Sequence, residues 1–187
     1  MTAPDYTSEL LRMGREARAA ARKLAMLQAP HKNRCLEAMA TALLERQGEL
    51  LKANKQDMEN GRKKGLNSAL LDRLKLSPER ITDMAQGLRT LVGLENPVGK
   101  IDATWIRPNG MKIQKVRVPI GVIAIIYEAR PNVTADAAGL CLKAGNAVFL
   151  RGGSEAVHSN HAIAEAMLEG VRSVDLPEAI IQLLPWT

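Results

Sequence analysis

Aromatic side chains are scarce: two Trp, two Tyr and one Phe in 187 residues. So few rings cannot supply the stacking platforms on which single-stranded nucleic acids are held. Cysteine is scarcer still. Cys35 and Cys141 are too few for a disulfide framework and fit a reducing compartment. No apolar run is long enough to span a bilayer, and the densest one, residues 120–127, is strand-sized. No membrane partner is therefore expected. The first six residues show no basic segment leading into an apolar one, so no signal peptide is expected, and the expected location is the cytoplasm. Neither G-x-G-x-x-G nor G-x-x-x-x-G-K-[ST] occurs, which removes the common dinucleotide and P-loop fingerprints. There is no internal repeat. What remains is an ordinary globular composition, 46% hydrophobic and 25% charged, at a length suited to about one domain.

The net charge of +6 raises the question of a polyanion partner. Much of it lies between Arg12 and Arg34, where seven Lys or Arg accompany one acid, Glu16. Arg15, Arg18 and Arg22 share the helical face opposite the apolar stripe. That pattern reads as a solvated face, and no nucleic acid is expected.

Residues 1–95 read as helices. Leu10, Met13, Ala17, Ala20, Leu24 and Leu27 recur at three and four, and Pro30 is expected to break that helix. Leu36, Met39 and Leu43 begin a second stripe, and Asn60-Gly61 and Gly65 punctuate its end. Ser77-Pro78-Glu79 is a helix start: a capping hydroxyl, a proline where no N–H is needed, and an acid in the first turn. Residues 96–119 read as a hairpin. Runs 101–107 and 111–118 flank Pro108-Asn109-Gly110, and Asn-Gly predicts a turn in which both residues take positive φ. Apolar positions switch parity between Ile113 and Val116, as a bulge or a strand exposed on both faces would produce. Such a hairpin needs something to pack on, and a partner subunit is one candidate.

From residue 120 to 187 the pattern is β-α-β-α-β. Residues 121–126 predict a strand buried on both faces, 133–144 a helix ending at Gly145-Asn146, and 147–150 a second strand. Ser154 is expected to cap a helix running to about Arg172, and 180–184 to form a third strand. The fold class is α/β: a helical segment, a hairpin and a partial Rossmann-like parallel sheet, whose ligands sit at strand carboxyl ends.

Two segments fall at such ends. Tyr127-Glu128-Ala129-Arg130-Pro131-Asn132 packs a phenol, an acid, a guanidinium and an amide into one loop. The bland reading makes Asn132 a helix cap and pairs Glu128 with Arg130. Arg151-Gly152-Gly153-Ser154 brings a guanidinium, two residues without side chains and a helix start, a set that suits a phosphate. Its bland reading is an ordinary strand-to-helix turn. His158 and His161 lack an acid or thiol partner and read as surface histidines, so no metal is expected.

The runs Tyr127-Glu-Ala-Arg-Pro-Asn-Val-Thr134 and Leu140-Cys-Leu-Lys-Ala-Gly-Asn146, with Leu150-Arg-Gly-Gly-Ser-Glu155, resemble the γ-glutamyl phosphate reductase family (glutamate-5-semialdehyde dehydrogenases) of the aldehyde dehydrogenase superfamily. Lys32-Asn33-Arg34, Ala53-Asn54 and Leu71-Asp72-Arg73-Leu74 extend the similarity across the whole chain. The resemblance implies NADPH-dependent reduction of an acyl phosphate, L-glutamate 5-phosphate, to the semialdehyde in proline biosynthesis, by an enzyme expected to form a homo-oligomer. It implies Arg151, Gly152, Gly153, Ser154 and Tyr127 at the cofactor, Asn132 as oxyanion stabiliser and Arg130 at the substrate. The family's chains are more than twice as long, and their nucleophilic cysteine lies in a later glycine-rich segment without counterpart here. Cys35 and Cys141 read as buried structural thiols. The resemblance thus implies an amino-terminal part, truncated before the catalytic domain and inactive alone. The competing reading is a non-catalytic nucleotide-binding or subunit-interaction module.

Overall fold

A computed structural model describes residues 6–184. The opening segment read as leaderless, residues 1–5, and residues 185–187 lie outside the described part. Five helices come first: α1 (Tyr6–Ala25), α2 (Ala29–Glu45), α3 (Gln47–Lys63), α4 (Ser68–Leu74) and α5 (Pro78–Gly93). The hairpin is β1 (Ile101–Ile106) and β2 (Lys112–Val116). Then follow β3 (Val122–Ile126), α6 (Asn132–Lys143), β4 (Ala147–Arg151), α7 (Val157–Arg172) and β5 (Ile181–Leu183).

The parallel sheet runs in the order β3-β4-β5, so β4 is central. Ile123, Ile125, Val148, Leu150 and Ile181 share one face and meet α2, α5, α6 and α7 in the main core. Alternation sends Val122, Ala147 and Phe149 to the other face, where Ala17 and Ala21 of α1 pack. Gln182, also on that face, donates from Nε2 to the Met13 carbonyl of α1 at 3.0 Å. The helical segment and the sheet therefore share their packing. Gly170 lets α7 lie directly on α2: a Cβ there would stand 2.5 Å from the Met39 backbone nitrogen.

Several expectations need correction. The strand at 121–126 is not buried on both faces. It is an edge strand, and beyond α1 its outer face is open, with Ile126 74% exposed. β4, with neighbours on both sides, is covered as a parallel strand is expected to be, and so are Ile181 and Gln182 of β5. Pro30 does not end α1. It occupies the first turn of α2, where its missing N–H costs nothing. The turn at 107–111 is not a two-residue one. Among the described residues Asn109 is not at positive φ, whereas Gly110 is, at 81°. Pro108 fixes the first corner of a type I turn, Gly110 N–H donates to the Arg107 carbonyl, and Gly110 supplies the left-handed residue that closes the loop. The parity switch is real in both senses expected: the register shifts between Ile101 and Ala103, and β2 is exposed throughout.

The buried polar groups are held by specific partners. Lys32 Nζ donates to Asn96 Oδ1 (2.8 Å) and to the Lys143 carbonyl, and Lys143 Nζ donates to Asn33 Oδ1 (2.8 Å) and the Val92 carbonyl. Each cation thus lies at a helix carboxyl end, where the dipole favours it. Burial lowers the pKa of both lysines. Asp57 of α3 reaches the start of α7, accepting from His158 N–H (3.2 Å), Ser159 N–H (2.7 Å) and Ser159 Oγ (2.6 Å).

Candidate functional site

The loop from β3 to α6 lines two cavities. Its first half, Tyr127, Glu128 and Ala129, joins Arg151, Gly153 and Glu155 around a cavity of about 450 Å3. Leu66 and Leu70, just before and within α4, form its apolar wall. The second half, Arg130, Pro131 and Asn132, opens on a cavity of about 440 Å3 bounded by α4, α5 and α6. The five-residue loop, with the first residue of α6, therefore divides the predicted cofactor residues from the predicted substrate residues.

On the first side, Arg151 ends β4. Its carbonyl accepts from Tyr127 N–H at 3.0 Å, which ties the loop to the strand. Among the described residues its guanidinium makes no hydrogen bond or ion pair, so it is free to meet a ligand. Gly153 lines the cavity beside it. Gly152 does not. It is buried, and a Cβ there would stand 2.0 Å from Asn160 Nδ2 and 3.2 Å from the Tyr127 ring. Its lack of a side chain serves packing. The Tyr127 hydroxyl is also turned inward. Thr134 Oγ1 donates to Asn160 Oδ1 (3.1 Å), so Tyr127 OH donates to Thr134 Oγ1 (2.7 Å). Burial raises that phenol's pKa, and what Tyr127 offers the cavity is ring surface.

Ser154 does not cap α7. It starts a short 3-10 turn, its hydroxyl donates to Glu155 Oε1 (3.2 Å), and it stays exposed. The reason is Asp57, whose carboxylate already takes the His158 and Ser159 amides. A helix start that would attract a phosphate is filled by the protein's own anion. Sequence reasoning missed Asp57, because a cap supplied from 101 residues away leaves no local pattern.

On the second side, Asn132 is the first residue of α6 and is exposed. Its Nδ2 donates to Asp136 Oδ2 at 3.1 Å, one turn on. That bond orients the amide and leaves its second N–H available. Partial desolvation raises the Asp136 pKa, against the bond from Asn132, which lowers it. Arg130 is exposed, and among the described residues its side chain has no ion pair, so the pairing with Glu128 that the bland reading offered is not formed. The only bond between them is Arg130 N–H to the Glu128 carbonyl at 2.8 Å. Arg73, Lys75, Arg80, Asp72, Asp83 and Asp136 supply the other charges of the lining, with Leu76 and Met84 beside them, and only a local sequence match, Leu71-Asp72-Arg73-Leu74, hinted at that stretch.

Both cysteines are buried. Burial pushes the Cys35 thiol up to about 12 and raises Cys141 as well, the opposite of what an attacking thiolate needs. His158 and His161 are exposed, and the described residues contain no cluster of three potential metal ligands. No helix among them is long and apolar enough to cross a membrane.

Comparison with known proteins bears on the family and the fold. The chain is 56% identical over 177 residues to a γ-glutamyl phosphate reductase of Heliobacterium modesticaldum, covering 95% of this chain and 42% of that protein. The crystal structure of the γ-glutamyl phosphate reductase of Thermotoga maritima superposes with a TM-score of 0.91 at 41% identity, over 95% of this chain and 43% of that one. The Saccharomyces cerevisiae enzyme of the same name superposes at 0.87 and 28% identity, over 93% of this chain and 45% of that one. The chain thus spans about two fifths of the length of the relatives it matches. A family-wide sequence model, that of the aldehyde dehydrogenase family, matches residues 4–187. With a parallel βαβαβ sheet, a loop at its carboxyl edge that lines two cavities, and a match over nearly every residue, the chain belongs to the aldehyde dehydrogenase family.

Proposed function

We propose that this chain forms the cofactor side, and part of the substrate side, of an NADPH-dependent reductase. Its reaction converts L-glutamate 5-phosphate to L-glutamate 5-semialdehyde and phosphate, a step of proline biosynthesis. The observation that carries this reading is the division made by the 127–132 loop. A free guanidinium, Arg151, lies on one side, and an amide donor, Asn132, with a free guanidinium, Arg130, on the other. The identity with reductases of that name supports the choice of reaction.

The first cavity suits a nicotinamide dinucleotide phosphate, which supplies hydride when bound. Leu66, Leu70 and the Tyr127 ring give an apolar surface. Arg151 grips a ribose 2′-phosphate through two parallel N–H donors. In the second cavity the free N–H of Asn132 is the donor for an oxygen that gains negative charge as the acyl carbon is attacked. Arg130 holds an anionic group of the substrate by charge. Neither thiol of this chain is the nucleophile, since both are buried and raised in pKa. The chain by itself is inactive.

The test is the reverse reaction: NADPH formation from L-glutamate 5-semialdehyde, NADP+ and phosphate. The 187-residue chain should give background, and a product that adds the remaining length of the relatives should turn over. Turnover by the chain alone that Cys141→Ser abolishes would overturn the assignment.

A subunit-contact role for the hairpin is the second reading. Trp105 is half exposed, and Ile106, Val118 and Ile120 are each more than three-quarters exposed. An isolated ribbon of that kind is unstable in water without a cover. We assign the cover to a second copy. Sedimentation should show an oligomer that Trp105→Lys with Ile106→Lys converts to monomer.

A further inference from the structure

We infer that Ser159 and Asn160, neighbours in the first turn of α7, are positioning residues that set the gap between two walls shared by both cavities. One wall is the 127–132 segment, whose halves face the two cavities. The other is the 66–76 stretch. Leu66 and Leu70 line the first cavity, and Asp72, Arg73, Lys75 and Leu76 line the second. Neither wall holds its own place. α4 has seven residues, too few for a helix to be stable by itself. The ion pair of Arg80 with Asp72 braces it only from the exposed side. Past the Tyr127 N–H, which meets the Arg151 carbonyl, the 127–132 segment has left the sheet.

Each wall is tied to α7 through one buried side chain. On the α4 side the link is Asn54 of α3. Its Oδ1 accepts from the Leu76 N–H (2.8 Å), and its Nδ2 donates to the Leu74 carbonyl (2.8 Å) and to Ser159 Oγ (3.0 Å). Ser159 gives its own proton to Asp57 Oδ2, which leaves the Oγ lone pairs for Asn54. On the loop side the link is Thr134 of α6, which accepts from Tyr127 OH and donates to Asn160 Oδ1. None of Asn54, Thr134, Ser159 and Asn160 is more than 3% exposed. Successive residues on a helix point about 100° apart, so Ser159 reaches α3 while Asn160 reaches α6. Apolar packing would also join these helices, but a satisfied network of hydrogen bonds fixes direction and distance at once. None of the four lines either cavity, so what they give the cavities is the spacing of the walls. The geometric claim stands alone, whereas its effect on turnover rests on the reductase reading.

The experiment is amide hydrogen exchange on the full chain with two variants. Thr134→Val keeps the shape and breaks the link on the loop side, and Ser159→Ala breaks it on the α4 side. Thr134→Val is expected to speed exchange at the Tyr127 and Val133 amides about tenfold, and Ser159→Ala to do so at Leu76, with Met39 and Leu43 of α2 unchanged. Thr134→Ser, which keeps the hydroxyl, should restore the loop. Acceleration that reaches α2 equally means a general loss of stability and overturns the inference. So does exchange unchanged at the walls. If Thr134→Val does not fold, Tyr127→Phe breaks the same link from its half-buried end and is read in the same way. Steady-state kinetics of the longer product give a second readout. Because the walls are shared, Thr134→Val should raise KM for NADP+ and for the semialdehyde together, each about tenfold, whereas a loss of folded enzyme lowers the rate at unchanged KM. Turnover with either KM unmoved overturns the inference and keeps the reductase. No turnover by the unmodified longer product removes the reductase and leaves the inference to the exchange rates.

Discussion

Replacing Arg151 with Ala tests how the cofactor is chosen. With α7's first amides occupied by Asp57, no helix start competes for a phosphate on this side of the loop. Under the proposed function, selection of the 2′-phosphate falls on one guanidinium that has no partner among the described residues. Hydrogen bonds to charged groups contribute about 1.5–3 kcal/mol, or roughly tenfold to a hundredfold in affinity. The lining pushes the loss toward the upper end. Glu128 and Glu155 share the cavity with Arg151, so its removal leaves two carboxylates facing the phosphate. NADH, which offers a hydroxyl there, should lose less than threefold (about 0.6 kcal/mol). Fluorescence titration of both cofactors into wild type and Arg151→Ala measures the split. Equal losses would show that Arg151 supports the ribose or the loop and does not select the phosphate. No loss for either would remove it from the site.

Other outcomes follow from packing and titration. Asp57→Ala strands two amides and a hydroxyl at the start of α7 and should cost about 3 kcal/mol in urea unfolding, with Asp57→Asn, which keeps one acceptor, costing less. Gly170→Ala forces α7 off the Met39 backbone and should cost about 1–3 kcal/mol, since backbone cannot rotate aside. Cys35 has a folded-state pKa of about 12 against an ordinary 9.0, so its contribution is full below pH 9 and is lost as pH rises above it. Unfolding curves between pH 8 and 10 should fall more steeply in wild type than in Cys35→Ala. Parallel slopes would show that the thiol titrates alike in both states.

The elements were largely legible in the sequence because each rests on a local pattern. Ser77 does accept from the Arg80 amide at 3.3 Å, and Gly145 does take positive φ, 76°, at the end of α6. The short α4 left no stripe long enough to read. Residues 121–126 were misjudged because an apolar run reports what a strand can bury, not which neighbours it has. At the candidate site, the place of Arg151, Arg130 and Asn132 on the cavity walls was readable from their position after strands. The inward turn of Tyr127 and Gly152 was not, since it depends on Asn160, a buried residue of another element. Arg73 and Asp83 were invisible as a pair. One looks like a helix-end cation and the other like a solvated acid until folding puts them around one cavity.

The carboxylate of Asp57 also sets an order of events during synthesis. Its partners, His158 and Ser159, leave the ribosome about a hundred residues after it, and until then α3 carries a charge that must stay in water. The nascent helical half therefore cannot close over that end of α3. When α7 emerges, one contact both neutralises the waiting anion and fixes where α7 begins. Docking and helix register become a single step, and a ribosome that stalls before Ser159 leaves behind a helical segment held open by its own acid.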